Sequence, residues 1–213
     1  MRRSKDSPRW QRRSEDRPGE ICAAALQVFA EKGFAAAKLD DIARRAGVSK
    51  GTLYLYFTDK AELFQAVVRE AVAPNIQTVA AAADLHDASF ADVVRQMLAA
   101  FAQVAQRKPL GSVAKMVIGE SSNFPELARV WHDEVASRAI ATIAALIESA
   151  QQRGEVRSGD ARHYALSLLG PMVLGVLWQT TLVPAGGMPF DLDTLARQHA
   201  ETVLNGLLIG DGK

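Results

Sequence analysis

Cysteine is scarce in this 213-residue sequence, which contains Cys22 alone. A single cysteine excludes an internal disulfide and is typical of a reducing compartment; its apolar helical surroundings favour a buried thiol over a redox sensor. The four histidines, His86, His132, His163 and His199, lack metal-ligand spacing, and one cysteine cannot complete a zinc site. A phosphate-binding glycine loop and a nucleophile elbow are also missing. We therefore predict no metal, no cofactor and no enzymatic activity.

A large net charge is absent too, since the formal charge at pH 7 is +1. The charges are divided unevenly, because residues 1–60 contain 13 Lys and Arg against 8 Asp and Glu, whereas residues 61–213 contain 12 against 16. A basic N-terminal part is typical of a protein that contacts phosphate at one end. Residues 1–17, with seven basic residues, predict a flexible arm, which is either an idle solvated tail or a contact to DNA.

Alternating β-strand patterns and internal repeats are absent, and apolar residues recur instead at helical spacing. Between Phe90 and Val104, apolar residues fall at offsets of 0, 3, 4, 7, 8, 11 and 14, which predicts one amphipathic helix. Hydrophobic residues make up 48% of the chain, which is typical of a protein with a buried core. We expect an all-α protein of about nine helices.

The N-terminus is charged and no apolar segment follows it, which predicts a cytoplasmic protein without a signal peptide. One apolar stretch, residues 164–183, is long enough to span a membrane. It contains Gly170 and Pro171 near its middle and has no clear basic flank. We therefore predict a helix packed against other helices rather than a membrane span.

The most informative stretch is residues 40–57, DDIARRAGVSKGTLYLYF. Its first half has a narrow apolar stripe typical of a short helix, which Gly47 can end because glycine adopts left-handed backbone conformations without strain. Ser49 can cap a second helix, whose outer face carries Lys50, Thr52 and Tyr54. The alternation in LYLYF would also suit a strand, but the helical patterns on both sides favour a helix. This arrangement predicts a helix-turn-helix.

Here the sequence resembles the tetracycline-repressor (TetR) family of transcriptional regulators. The matching residues, in register over about residues 18–75, are Ala24-Ala25-Leu26, Phe29, Gly33-Phe34, Ile42-Ala43, Ala46-Gly47-Val48-Ser49, Gly51-Thr52-Leu53-Tyr54, Tyr56-Phe57, Lys60 and Leu63-Phe64. Beyond that segment the resemblance is limited to a common helical plan. It implies a three-helix DNA-binding domain followed by a helical-bundle domain for ligand binding and dimerisation.

The resemblance also implies which residues contact DNA. Residues at the start of the second motif helix match positions that commonly contact bases or backbone, while Tyr56 and Lys60 match positions that contact phosphates. The sequence departs from the family at Ala37 and Lys38, where Ser or Thr is usual, and Lys38 could supply a phosphate contact instead. The predicted DNA contacts are Lys38, Arg44, Ser49, Lys50, Gly51, Thr52, Tyr54, Tyr56 and Lys60.

Pro74 interrupts the helix that follows the motif, because proline lacks a backbone donor and disturbs a helix interior. We place the domain boundary there. The predicted parts are a flexible basic arm at 1–17, a DNA-binding domain at 18–74 with its motif at 38–57, and an effector-binding and dimerisation domain at 75–213.

Methionine and aromatic residues in the second part allow two interpretations. They could fill the core of a bundle, which is the commoner role of each single residue, or line a cavity for an apolar ligand. The family resemblance favours a cavity for the region as a whole. The candidate pocket residues are Met97, Phe101, Met116, Trp131, His132, Met172 and Trp178.

Two helices, at residues 164–182 and 192–207, are apolar on broad faces, which predicts that they pair with their symmetry mates in a homodimer. The predicted interface residues are Leu168, Gly175, Leu182, Leu195, His199, Val203 and Leu207. Together these features predict a ligand-responsive repressor, released from a near-palindromic DNA operator by a small, largely apolar effector. The alternative is a helical ligand-binding or interaction protein without DNA binding.

Overall fold

A computed structural model of the chain describes residues 17–72, 88–107 and 110–209, and these residues fold into nine helical segments. The segments are α1 (Arg17–Ala36), α2 (Leu39–Arg45), α3 (Lys50–Tyr56), α4 (Lys60–Val67, continued by a π-helical turn, Val68–Val72), α5 (Phe90–Arg107), α6 (Leu110–Glu120), α7 (Pro125–Trp131, a π-helical turn His132–Ala136, then Ser137–Gln152), α8 (Ala161–Leu177, continued by Trp178–Leu182) and α9 (Leu192–Leu207). The predicted all-α fold is confirmed.

Helices α1 to α4 enclose a core with three phenylalanines at its centre. The rings of Phe29, Phe34 and Phe64 lie 5.6 to 5.9 Å apart between centroids, mostly edge to face. Ile42 from α2 and Leu53 from α3 are fully buried in the same core. Such aromatic contacts add to the free energy of area burial, so the core fixes α2 and α3 against α1 and α4.

The corner between α2 and α3 forms as its sequence predicts. Gly47 adopts a positive φ of 67°, and the backbone N–H of Val48 donates to the carbonyl of Ala43 at 3.0 Å. The hydroxyl of Ser49 then accepts from the backbone N–H of Thr52 at 3.0 Å, which caps α3. The two helices therefore form a helix-turn-helix.

The first core also includes side chains from beyond the predicted DNA-binding domain at 18–74. Val113 and Val117 from α6, together with Leu127 from α7, are buried in the same core as α1 to α4. Pro74 and its predicted break lie outside the described residues. Helix α6 and the start of α7 thus connect directly to the DNA-binding part through shared packing.

A second core joins α5, the end of α7, α8 and α9. Its fully or nearly fully buried side chains include Leu98, Ile147, Leu168, Met172 and Leu204. By length and composition alone, the segment Ala161–Ala185 could cross a membrane, since it contains an 18-residue stretch with a mean hydropathy of 1.6. Of that stretch, 22% is buried inside the protein. Its inner face packs against α7 and α9, as predicted, whereas its outer face is exposed.

Several residues predicted at the dimer interface face their own subunit instead. Leu168 and Leu207 are buried in the second core, and His199 pairs its Nε2 with the carbonyl oxygen of Leu168 at 3.0 Å. A Cβ atom at Gly175 would lie 2.6 Å from the Leu195 side chain of α9. Gly175 therefore permits α8 and α9 to cross within one subunit, which corrects its predicted place between two subunits.

Candidate nucleic-acid interface

The rotation of α3 is set by one buried residue. Leu53 is fully buried, so the residues on the opposite side, Gly51, Tyr54 and Leu55, point away from the protein. Tyr54 is 46% exposed and Leu55 is 83% exposed. Only the Ser49 hydroxyl oxygen, at 3.8 Å, lies within 4 Å of where a Cβ atom of Gly51 would be. The backbone at the start of α3 is therefore open to close approach by a ligand.

Hydrogen bonds fix the polar groups at the start of α3. The hydroxyl groups of Ser49 and Thr52 lie 2.8 Å apart, and Ser49 also caps the helix. Lys50 is exposed and its Nζ lies 2.8 Å from a carboxylate oxygen of Asp40, which raises the pKa of Lys50. Exposed ion pairs contribute little to stability, so Lys50 can leave this carboxylate for another partner at small cost.

The arginines of α2 are also paired with carboxylates. Arg44 is highly exposed and contacts Asp41, while Arg45 donates to Glu31 at 2.7 Å. Lys38 is exposed at the N-terminus of α2, and its carbonyl accepts from the backbone of Asp41. Lys38 and Arg44 thus lie on the exposed part of the motif, as predicted, whereas predicted Tyr56 is half-buried and packs on the first core.

Lys60 is placed differently from its predicted phosphate-contacting position. Its ammonium donates to the carbonyls of Phe34, Ala35 and Ala37 at 2.5, 3.1 and 3.1 Å, and lies 4.5 Å from the centre of the Phe34 ring. These three acceptors use all its donors. Desolvation by burial lowers the pKa of Lys60. The structure therefore uses this ammonium to hold residues 34–37, which follow the kink of α1 at Gly33 and precede α2.

The same segment is held from the other side by Glu120, the last residue of α6. Its two carboxylate oxygens accept from the backbone N–H groups of Phe34 and Ala35 at 2.7 and 2.6 Å. Gly33 has a φ of 77°, and a Cβ atom there would lie 2.4 Å from the Glu120 carboxylate. The sequence offers no local pattern for a contact across 86 residues, so sequence analysis missed Glu120.

The predicted pocket residues do not come together. Met116 and Trp131 pack with the first core, whereas Met97, Phe101 and Met172 pack with the second. Two further candidates lie apart from both groups. His132 is exposed beside Asp133, and the indole of Trp178 donates to the carbonyl of Met188 at 2.8 Å. For the buried residues, packing is the observed role.

An apolar groove lies instead on the outside of the second part, between α6 and α8. Its volume is about 360 Å³. It is lined by Lys115, Ile118, Gly119, Leu174, Leu177, Trp178, Thr181 and Leu182. Within the described residues, no group of three or more His, Cys, Asp or Glu side chains is arranged to hold a metal ion.

Comparison with known proteins identifies the family. Residues 21–67 match the model of bacterial regulatory proteins of the tetR family, and residues 87–189 match a tetracyclin repressor-like C-terminal domain. The chain belongs to the TetR family of transcriptional regulators. An uncharacterized HTH-type transcriptional regulator of Mycobacterium tuberculosis is 31% identical over 198 residues, 91% of this chain and 95% of that protein. The transcriptional repressor BepR of Brucella suis is 28% identical over 190 residues, 88% of this chain and 90% of BepR.

Solved structures share the complete fold with this TetR-family chain. The fatty acid degradation regulator FadR of Bacillus halodurans superposes with a TM-score of 0.75 at 21% identity, covering 95% of this chain and 98% of that chain. FadR of Bacillus subtilis in complex with stearoyl-CoA gives 0.70 at 21% identity, covering 88% and 98%. A SmeT–triclosan complex gives 0.73 at 22% identity, covering 92% and 93%. At these identities the likeness shows the fold.

Proposed function

We propose that this TetR-family regulator acts in the cytoplasm as a homodimeric repressor, with one α3 helix in the major groove at each half of a near-palindromic operator. The observation that carries the proposal is the outward face of α3. Buried Leu53 fixes its rotation, Ser49 caps its start, and exposed Lys50 and Tyr54 supply donors. In a helix-turn-helix, such donors at the start of the second helix contact base edges.

The remaining motif residues divide by role. Lys38 and Arg44 are exposed and basic and would contact phosphates, and Tyr56 would do so from the end of α3. Gly51 would let the helix backbone approach the duplex. Lys60 is not among the proposed phosphate contacts, because three backbone carbonyls accept hydrogen bonds from its ammonium group. The proposed domain division keeps the arm at 1–17, the DNA-binding part at 18–74 and the second part at 75–213.

The outer face of α8 is the proposed centre of the dimer interface. Leu166 and Leu174 are 57% and 62% exposed, and Val173 is 38% exposed. Gly170 lies between them with no heavy atom within 4 Å of where its Cβ would be. Exposed apolar patches of this kind mark interaction sites, and a symmetric pairing of α8 and α9 would bury this one.

The groove between α6 and α8 is the proposed effector site. Its walls are mainly apolar side chains, including Ile118, Leu177 and Trp178, and Lys115 also lines it. An apolar molecule with an acidic group suits this combination. The stearoyl-CoA and triclosan complexes of the two structural neighbours support an effector of largely apolar chemistry. The effector would shift the protein only through its differential affinity for the two states.

Two contacts would carry that shift to the DNA-binding part. Glu120, at the end of groove-lining α6, binds the backbone before α2. Glu134 of α7 is buried and accepts from Arg69 of α4 at 2.6 Å, while Arg138 lies 2.8 Å away. Movement of α6 or α7 would therefore change the position of α2 and α4 directly.

A salt titration of DNA binding tests the proposal. Wild-type protein should bind non-specific duplex DNA in low salt, with an affinity that falls steeply as salt rises. Lys50→Ala should lose about 1–3 kcal/mol per half-site on an operator, with altered preference at particular base pairs. Arg129→Ala, an equal change of charge at an exposed position of α7, is the matched control and should bind as wild type. Wild-type protein without DNA affinity would favour the alternative of a ligand-binding or interaction protein.

A further inference from the structure

Leu55 is the most exposed of the large apolar side chains that the structure describes, at 83%. It lies on α3, the helix proposed to enter the major groove, and it is not one of the donors from which a DNA interface is usually predicted. Leucine cannot donate to a phosphate or to a base edge. Its exposure therefore needs a different explanation from that of Lys50 or Tyr54.

The helix geometry places Leu55 on the proposed DNA-facing side. Gly51, Tyr54 and Leu55 are spaced three and four residues apart, so they share one face of α3. An α-helix with its side chains is roughly 10–12 Å across, which fits the roughly 12 Å width of a major groove. Side chains of a helix lean towards its N-terminus, so the methyl groups of Leu55 project towards the first turn. Leu55 thus borders the open surface beside Gly51.

Base chemistry selects the partner of an apolar side chain in this position. Of the four bases, only thymine presents a methyl group in the major groove, and the others present hydrogen-bonding groups that leucine cannot satisfy. We propose that Leu55 is a specificity-determining residue that packs against the 5-methyl group of a thymine in each operator half-site. This inference rests on the proposed binding of α3 to DNA.

A protein partner is the competing occupant of Leu55, and the neighbouring side chains argue against it. The basic side chains Lys38, Arg44 and Lys50 are exposed on α2 and α3, and the last two pair with Asp41 and Asp40. Interface cores are depleted in charged residues, especially lysine, whereas nucleic-acid interfaces are enriched in basic residues. An exposed leucine on a helix-turn-helix that carries exposed basic side chains therefore suits a DNA groove better than the core of a protein interface.

The test uses operator DNA in which individual methyl groups are removed. A randomised duplex library first yields the half-site preferred by wild-type protein. Each thymine of that site is then replaced by uracil, which lacks only the 5-methyl group. Removing the contacted methyl should weaken wild-type binding about fourfold per half-site, or about fifteenfold for both. Leu55→Ala should bind the thymine and uracil duplexes equally, because it lacks the apolar partner.

Controls separate base contact from folding and association. Leu55 is exposed, so Leu55→Ala should unfold at the wild-type temperature and keep the wild-type salt dependence on non-specific DNA. Ile209→Ala removes an exposed apolar side chain beyond the end of α9, away from every proposed site, and should retain full uracil sensitivity. Sedimentation of wild type and Leu55→Ala would detect a role in self-association.

The outcomes distinguish this inference from the proposed function. Wild-type protein that binds no DNA would remove both. Wild-type protein that selects a half-site, yet tolerates uracil at every thymine, would overturn the role of Leu55 alone. The role of Leu55 would also be overturned if Leu55→Ala remains as sensitive to uracil as wild type. A Leu55→Ala protein with a changed association state and an unchanged base preference would overturn it too.

Discussion

Replacing Glu120 by Ala should release residues 34–37, which follow the kink of α1 at Gly33 and precede α2. Glu120 accepts from the backbone N–H groups of Phe34 and Ala35 at 2.7 and 2.6 Å, which are short, charge-assisted hydrogen bonds. A hydrogen bond to a charged group contributes about 1.5–3 kcal/mol, and the two bonds share one half-buried carboxylate. We expect a loss of about 2–3 kcal/mol in the free energy of unfolding. For a chain of this size that lowers Tm by about 4–12 °C.

Amide hydrogen exchange locates this effect. The N–H groups of Phe34 and Ala35 should exchange faster in Glu120→Ala, while the cores of α8 and α9 keep their protection. Glu120→Gln should fall between wild type and Ala, because it keeps one acceptor oxygen but turns an amide donor towards a backbone N–H. Glu148→Ala, at an exposed position of α7, is the matched control. Wild-type stability together with unchanged exchange in Glu120→Ala would refute the argument.

Lys60→Ala should lower the free energy of unfolding by about 2–3 kcal/mol, because three carbonyls lose a charged donor. The salt slope of DNA binding should stay unchanged. A slope reduced by about 2 per dimer would instead make Lys60 a phosphate contact. Gly170→Arg should keep the fold and sediment as a monomer, whereas Gly175→Arg should be unstable because its side chain would overlap α9. A Gly170→Arg protein that remains dimeric would contradict the proposed interface. Burial, with Glu70 nearby, raises the pKa of the Cys22 thiol to about 12. The native thiol should therefore resist a disulfide reagent at pH 8. The stability due to its neutral form should be lost as pH rises from about 8.5 towards 12, because the unfolded thiol ionises first. In urea titrations, Cys22→Ser should not show this pH-dependent loss.

The parts of the fold that depend on neighbouring residues were predictable from the sequence. Gly47 takes its left-handed conformation and Ser49 caps α3, since both features are decided within four residues. The helical spacing of apolar residues likewise predicted the all-α fold. Asp160 and Asp191 begin α8 and α9 as helix caps for the same local reason.

The rotation of α8 about its own axis, which decides which face is buried, was not predictable from neighbouring residues. Its residues are apolar on nearly every side, so periodicity predicts a helix without deciding which face meets the subunit and which meets solvent. Gly175 and Gly170 are both glycines on this helix, yet one lies against Leu195 of α9 and the other is open. The sequence predicted an interface on α8, but only the packing of α9 shows which face of α8 is exposed.

Distant polar contacts escaped prediction because their partners are far apart in sequence. Lys60 matches a phosphate-contacting position of the family, but its ammonium is held by carbonyls more than 20 residues away. Glu120 reaches the same segment from α6. A charged side chain in a motif identifies a position that can contact phosphate, whereas the folded chain decides whether its donors remain available.

These contacts suggest why the two parts of the chain would respond together to an effector. Glu120 and Lys60 hold opposite polar groups of one short segment, the N–H groups and the carbonyls that precede α2. The second connection, between Arg69 and Glu134, joins π-helical turns in α4 and α7. A π-helical turn departs from ordinary helical hydrogen bonding and is frequent at functional positions. A groove ligand that moves α6 would act through Glu120 on the segment that precedes α2, and Lys60 ties the start of α4 to that same segment. The two recognition helices of a dimer would therefore be reoriented chiefly through the end of α6.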